Sequence, residues 1–297
     1  MTHILCIGEA MAEIRGVGDG FVVGFSGDTF NTAVYCRRRL QGGSVGFQTR
    51  IGYEPLSEGF LRLAVAEGLD LTPIRRDAAH NIGIYSVQTD TAGERSFAYW
   101  RENSAVRQLF QTPEDFKALE QADILYLSGI TLAILTPAAR VALFARLAAL
   151  RAAGQRVAFD SNYRPRLWSD AATARQVIAQ AWALADIALP SVDDEMALFG
   201  DADAAAVLER LRQLSTREGA LKRGALGPLA LQPGATTPVF ARAEHVVDTT
   251  AAGDSFNGGF LAALAGGADT IRAMAAGHEL ARVVVSQPGA IVETPQT

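Results

Sequence analysis

Residues 124–190 hold three short apolar runs: Ile124-Leu125-Tyr126-Leu127-Ser128-Gly129, Arg156-Val157-Ala158-Phe159-Asp160 and Ile187-Ala188-Leu189-Pro190. Each is the length of a strand, rich in β-forming residues and closed by a polar or turn-forming residue. Between them lie two alanine- and leucine-rich segments. Residues 137–153 carry Val141, Leu143, Phe144, Leu147 and Leu150 and read as a helix, as do residues 171–185. A strand–helix–strand–helix–strand rhythm implies a mainly parallel sheet covered by helices on both faces. Ligands of such sheets bind beyond the C-terminal strand ends. Function is therefore expected near Ser128-Gly129 and near residues 160–164, 191–195 and 222–227.

Outside this frame, two regions break the rhythm. Residues 10–26 are rich in glycine and β-formers. Residues 82–102 alternate loosely through Ile84, Ser86, Val87 and Thr89, then Arg95, Phe97, Tyr99 and Arg101, with Gly93-Glu94-Arg95 as the turn before the second run. Both read as strands of a small accessory sheet. Its functional reading is a lid over a substrate; the plainer reading is a β-extension.

Composition narrows the function classes. The 297 residues suffice for one large α/β domain or two small ones. The net charge of −5 with scattered basic residues argues against a nucleic-acid partner. Cys6 and Cys36 show no metal-ligand or redox spacing, and a disulfide-free cytoplasmic protein is expected. The N-terminus reads as a first strand rather than a signal peptide. No stretch reaches the ~18 apolar residues needed to span a bilayer, so no membrane partner is expected. Internal repeats and low-complexity linkers are absent from the sequence.

Farther along, Asp248-Thr249-Thr250-Ala251-Ala252-Gly253-Asp254-Ser255-Phe256-Asn257-Gly258-Gly259-Phe260 puts small residues and an acid just before an apolar segment. It reads as a tight turn opening a helix. Free N–H groups at such a start attract anions. Small side chains at Ala251, Ala252 and Gly253 let a phosphate approach the backbone. Asp254 would repel that anion, a placement that makes sense if it takes a proton from a substrate hydroxyl. An ordinary capped helix is the plainer reading. Gly27-Asp28-Thr29-Phe30-Asn31 precedes a helix over 32–40. Asp28 and Asn31 offer acceptor and donor groups suited to sugar hydroxyls, or a cap. Tyr99 and Arg101 share one strand face, a grip for a carboxylate, while Glu102 turns to solvent.

The 248–254 run resembles the D-T-x-G-A-G-D signature of the ribokinase-like (PfkB-type) carbohydrate kinases. Ala251 stands for its first glycine, as in the D-T-T-A-A-G-D form of the keto-deoxygluconate kinases of that family. Residues 25–33 resemble the family's sugar motif, with Ser26 where a glycine is common. Residues 93–101 resemble G-E-R-x-F-x-Y-W-R, and residues 160–168 resemble D-x-N-x-R-P-x-L-W. The resemblance implies a ribokinase-like three-layer α/β/α fold over 1–297, with a mainly parallel sheet and a small β-sheet lid. That lid often pairs with the same sheet of a second subunit, so a homo-oligomer is expected.

For function, the resemblance implies ATP-dependent phosphorylation of a small-molecule sugar acid, 2-keto-3-deoxygluconate, at its C6 hydroxyl. Asp254 would be the general base, with the N–H groups of Ala251, Ala252 and Gly253 as an anion hole. Gly27, Asp28, Asn31, Tyr85, Tyr99, Arg101 and Arg164 would meet the substrate. Arg164 equally suits a phosphoryl oxygen, and Arg166 a surface salt bridge; Trp168 suits packing. Asn162, Lys222, Gly224, Gly227, Gly277 and His278 would meet ATP. Glu195 would organise Mg2+ water from an N-x-x-E motif whose asparagine position is Val192. A helix-terminal acid is the plainer reading of Glu195. Asp248 and neighbouring carbonyls would hold a monovalent cation. At residue 290, where some relatives place an acid, Ala290 offers only backbone. A fructokinase or ribokinase is the alternative, and a non-catalytic sugar-acid-binding regulator the alternative of another class. There is no Walker A motif.

Overall fold

The structure, a computed structural model, describes residues 1–18, 20–89, 95–214 and 218–295. The expected turn at Gly93-Glu94 lies outside the described residues. The strands, in chain order, are β1 (His3–Ile7), β2 (Met11–Val17), β3 (Gly20–Ser26), β4 (Ser44–Gln48), β5 (Arg50–Ile51), β6 (Arg75–Arg76), β7 (Gly83–Thr89), β8 (Arg95–Trp100), β9 (Ile124–Ser128), β10 (Arg156–Asp160), β11 (Ile187–Ala188), β12 (Glu218–Leu221) and β13 (Leu229–Ala230). The main helices are α1 (Asp28–Arg39), α2 (Pro55–Ala66), α3 (Gly129–Ile134), α4 (Pro137–Ala152), α5 (Ala171–Leu184), α6 (Val192–Phe199), α7 (Ala204–Arg212), α8 (Ala252–Ala265) and α9 (Thr270–Val284).

One sheet runs β13-β12-β11-β10-β9-β1-β4, parallel throughout except for the antiparallel β12–β13 pair. Because strand side chains alternate, each buried strand feeds two cores. Leu5, Ile7, Leu125, Leu127, Val157 and Phe159 pack with α4 and α5. Ile4, Cys6, Tyr126 and Ala158 pack with α1, α2, α8 and α9. This is the three-layer arrangement that the 124–190 rhythm implies.

The helices start where the sequence caps them. Thr136 accepts a hydrogen bond from Ala139 N with Pro137 in the first turn, and Asp170 accepts from Thr173 N. Helix α1 starts four residues earlier than the expected 32. Its N-cap, Gly27, has no side chain to announce it, and Asn31 N donates to Gly27 O at 2.7 Å. Asp28 and Asn31 are thus both in the helix's first turn.

Helix α8 lies hard against α1 and α9. A Cβ on Gly258 would sit 2.8 Å from Cys36 N and 2.9 Å from Thr32 O; one on Gly277 would sit 2.6 Å from Phe256 O. These glycines let the α8 N-terminus reach the ends of β9, β10 and β12.

A second sheet runs β3-β2-β7-β8. Its register puts Glu13 opposite Tyr85 and Tyr85 opposite Tyr99; Arg15 faces Val87, which faces Phe97. These residues share one face. Phe21, Val23 and Trp100 occupy the other. Among the described residues, no helix is long and apolar enough to cross a membrane.

Candidate active site

The α8 N-terminus is the centre. Ala251, its N-cap, has φ 59° in the left-handed region, where a Cβ costs about 1–2 kcal/mol. Gly253 and Asp254 follow in the first turn. Asn31 Nδ2 donates to Asp254 Oδ2 at 2.8 Å, and Thr32 Oγ1 donates to the Asp254 carbonyl at 3.2 Å. Burial pushes the Asp254 carboxyl up to about 8, and the charges of Asp28 and Asp160 add to it. The Asn31 hydrogen bond and the Lys222 ammonium pull the other way.

Two linked clusters surround it. Asp28 Oδ2 accepts from Ser128 Oγ at 2.5 Å and Asn162 Nδ2 at 2.8 Å. Burial raises the Asp28 pKa, and these hydrogen bonds oppose that. Asn162 has φ 30°, a strained backbone anchored by its N–H to Asp160 Oδ1 at 3.1 Å. Beyond it, Asp160 Oδ2 accepts from Lys222 Nζ at 2.5 Å and Asn257 Nδ2 at 2.7 Å. Lys222 Nζ also donates to Asn257 Oδ1 at 3.1 Å, and Asn257 Nδ2 donates to Tyr126 OH at 2.9 Å. A Cβ on Gly253 would lie 3.6 Å from Lys222 Nζ, so the ammonium stands beside the α8 turn.

Sequence reasoning assigned no role to Ser128, Asp160, Asn257 or Tyr126. The first two lie at strand C-termini, where the strand-end rule already pointed. Asn257 was legible as one helical turn beyond Asp254. Tyr126 sits inside an apolar strand and carries no such signal.

The two candidate arginines are both paired. Arg101 is buried, its guanidinium ion-paired with Glu9 and 5.7 Å from the Tyr99 ring centroid. Arg164, 52% exposed, pairs with Asp194 at 3.2 Å. Burial raises the Asp194 pKa against the pull of Arg164, and that carboxylate also feels Asp160 and Lys222. Tyr85 OH donates to Glu13, and the Tyr85 and Tyr99 rings stack at 5.9 Å. Glu102 is exposed and Trp168 buried, as their positions suggested. A cleft of about 640 Å³ opens between the second sheet and the 248–250 turn, lined by Glu13, Arg15, Phe97, Asp248, Thr250 and Gly289.

Glu195 is fully buried, with Oε2 accepting from Arg210 at 2.8 Å. Its Oε1 has no hydrogen-bond partner, and neither has Ser161 Oγ, which stands near the same carboxyl. Among the described residues no three His, Cys, Asp or Glu side chains converge to hold a metal. Asp248 accepts Thr250 N at 2.9 Å and Gly289 N at 2.7 Å, clamping two segments. Gly224 and Gly227 have φ 52° and 73°, a turn that only glycine enters freely. A Cβ on Gly227 would lie 3.0 Å from Phe240 Cβ, and the Phe240 ring is 5.0 Å from that of His278. His278 and the 224–227 turn therefore flank one aromatic residue. Gly277 is buried in the α8–α9 crossing.

The pfkB family carbohydrate kinase model matches residues 1–297. A 2-dehydro-3-deoxygluconokinase of Dickeya dadantii (strain 3937) is 39% identical, over 98% of this chain and 96% of its own. One of Escherichia coli (strain K12) is 37% identical, over 97% and 96%. A fructokinase of Vibrio cholerae O395, solved in a fructose, ADP and calcium ion bound form, superposes with a TM-score of 0.85. The match covers 98% of this chain and 94% of that one, at 24% identity.

Proposed function

The chain belongs to the pfkB family of carbohydrate kinases, and we propose that it phosphorylates 2-keto-3-deoxygluconate at the C6 hydroxyl with ATP. One observation carries the chemistry: a half-buried carboxylate, Asp254, stands in the first turn of a helix that opens on Gly253 and the Lys222 ammonium. The substrate follows from likeness to relatives of that name. In this reading the C6 oxygen attacks the γ-phosphorus, Asp254 takes its proton and ADP departs, leaving the 6-phosphate. The α8 N–H groups take the charge that builds on the transferring phosphoryl group. Gly27, Asp28, Asn31, Tyr85 and Tyr99 orient the sugar, and Arg101 meets its carboxylate. Arg164, half exposed and paired with Asp194, would move onto an incoming anion.

The nucleotide would run from Lys222 past the 224–227 turn towards His278. Mg2+ when bound would neutralise phosphate charge, and it keeps most of its waters. The incomplete Glu195 Oε1 suits one such water, with Asp194 nearer the phosphates. Carbonyls of the two segments clamped by Asp248 are the fitting donors for a monovalent cation.

An ADP-coupled assay with the keto acid, fructose and ribose tests this reading. Preference for the keto acid by ~100-fold in kcat/KM is expected, the scale of one charged hydrogen bond left unmade. Equal turnover on fructose would make this a neutral-sugar kinase, and no turnover on any of the three would favour a sensor. Gly253→Ala checks the anion hole. Its methyl meets nothing closer than Lys222 Nζ at 3.6 Å, and alanine favours a helix by ~0.5–1 kcal/mol. Thermal stability is therefore expected to hold or rise while kcat falls ~10-fold or more, because the methyl screens the donors from phosphate.

The second sheet serves as lid and as subunit contact in this reading. Its outer face exposes Phe21 by 77% and Trp100 by 59%, a patch suited to a second copy of the chain. Light scattering should show an oligomer that Phe21→Ser with Trp100→Ser converts to monomer.

A further inference from the structure

Glu9 stands at the crossing from the main sheet to the second sheet, between the end of β1 and the start of β2. Two functional elements meet on it. Its backbone underlies the sugar motif: a Cβ on Gly27 would lie 2.0 Å from Glu9 O, so only glycine lets that turn settle there. Its carboxylate, 1% exposed, is ion-paired with Arg101, while Ser104 Oγ donates to Oε1 at 3.5 Å. Gly83 leaves the room this needs: a Cβ there would lie 3.2 Å from Glu9 Oε1 and 3.4 Å from Arg101 Cβ.

The pairing leaves the arginine unfinished. Arg101 reaches Glu9 through one terminal nitrogen, and its Nε is buried with no hydrogen-bond partner. A buried donor without an acceptor is unfavourable, unless a ligand supplies the acceptor. A second carboxylate, planar and bidentate, is the group whose geometry matches a guanidinium. We infer that Glu9 is a positioning residue, fixing the Arg101 guanidinium at the root of the second sheet so that it receives the substrate's carboxylate. This rests on the sugar-acid reading above. Burial holds the Glu9 carboxyl up at about 7, opposed by Arg101 and Arg107 and reinforced by Asp28. Near neutrality its charge is thus partial, and Arg101 retains attraction for a second anion.

The test compares wild type, Glu9→Gln and Glu9→Asp in steady-state kinetics and thermal unfolding. Glu9→Gln is expected to raise the KM for the keto acid ~10-fold or more, with kcat and the KM for ATP near wild type. Glu9→Asp keeps the charge on a shorter arm and should fall between the two. A merely structural staple would instead lower the melting temperature and kcat and disturb both substrates' KM values alike. Should Glu9→Gln fail to fold, Glu9→Asp carries the test through its own, smaller rise in keto-acid KM. Active wild type with an unchanged keto-acid KM in both variants overturns the Glu9 assignment alone. Inactive wild type on the keto acid overturns the functional reading and Glu9's role with it.

Discussion

Replacing Asp254 by Asn is expected to lower kcat by ~10³-fold, within the range a positioned general base contributes, while the protein stays folded. The asparagine can still accept from Asn31 Nδ2, so the 2.8 Å contact survives. What is lost is the proton acceptor. The pH profile gives an independent check. The Asp254 carboxyl is raised to about 8 by burial and by the charge of Asp28, and a base must be ionised to act. In the wild type, kcat/KM should therefore climb with pH, reach half its limit at about that value and level off above it.

Stability runs the other way. In the unfolded chain this carboxyl titrates near 4, so between about pH 4 and 8 the native state holds a proton that the unfolded state has lost. The stability it contributes is complete below the unfolded pKa and is lost as pH rises through the folded one. Above pH 8, Asp254→Asn should be more stable than wild type by urea unfolding. A variant that is both slow and less stable would mean that Asp254 is structural.

The sheet was legible because its strands are buried on both faces. Their central stretches, 124–127 and 157–159, carry no charged residue, and the helices between them carry their own caps. The α8 turn was legible as a helix start, because small residues and an acid set before an apolar run mark one; the residues alone left a plain cap open, and the family signature singled out the anion-binding reading. Helix α1 was misplaced because its first cap is Gly27, which has no side chain to mark it.

Partnership was not legible. Periodicity tells which face a side chain takes, and says nothing of what crosses the gap to meet it. Arg101 reads from sequence as an open grip, yet Glu9 meets it from 92 residues away. Asn31 reads as a sugar ligand or a cap, yet its amide holds Asp254 across 223 residues. Glu13 and Tyr126, each inside a strand, looked like ordinary strand residues until Tyr85 and Asn257 were seen bonded to them. Metal organisation shows the same limit. Glu195 reads from sequence as a magnesium-organising acid or a helix-terminal one, and only the fold shows Arg210 holding one of its oxygens.

Lys222 separates two roles that a single substitution would confuse. Lys222→Met leaves Asp160 buried with Asn257 Nδ2 and the backbone N–H of Asn162 as its remaining partners. Breaking a buried pair from one side costs ~3–5 kcal/mol, which urea unfolding should register. The same change removes a positive charge that holds the Asp254 pKa down, so the plateau of the kcat/KM–pH profile should move to higher pH. Adding Asp160→Asn removes the orphaned carboxylate, and most of the lost stability should return. It also removes a charge that raises the Asp254 pKa, bringing the plateau back towards its wild-type position. Fold and base are then both restored, and only the ammonium beside Gly253 is missing. If Lys222 serves solely as the counter-ion of Asp160, the double variant should regain activity along with stability. If it meets the transferring phosphate, as its place beside the α8 turn implies, the double variant should be stable and correctly titrating yet still ~10²–10³-fold slow.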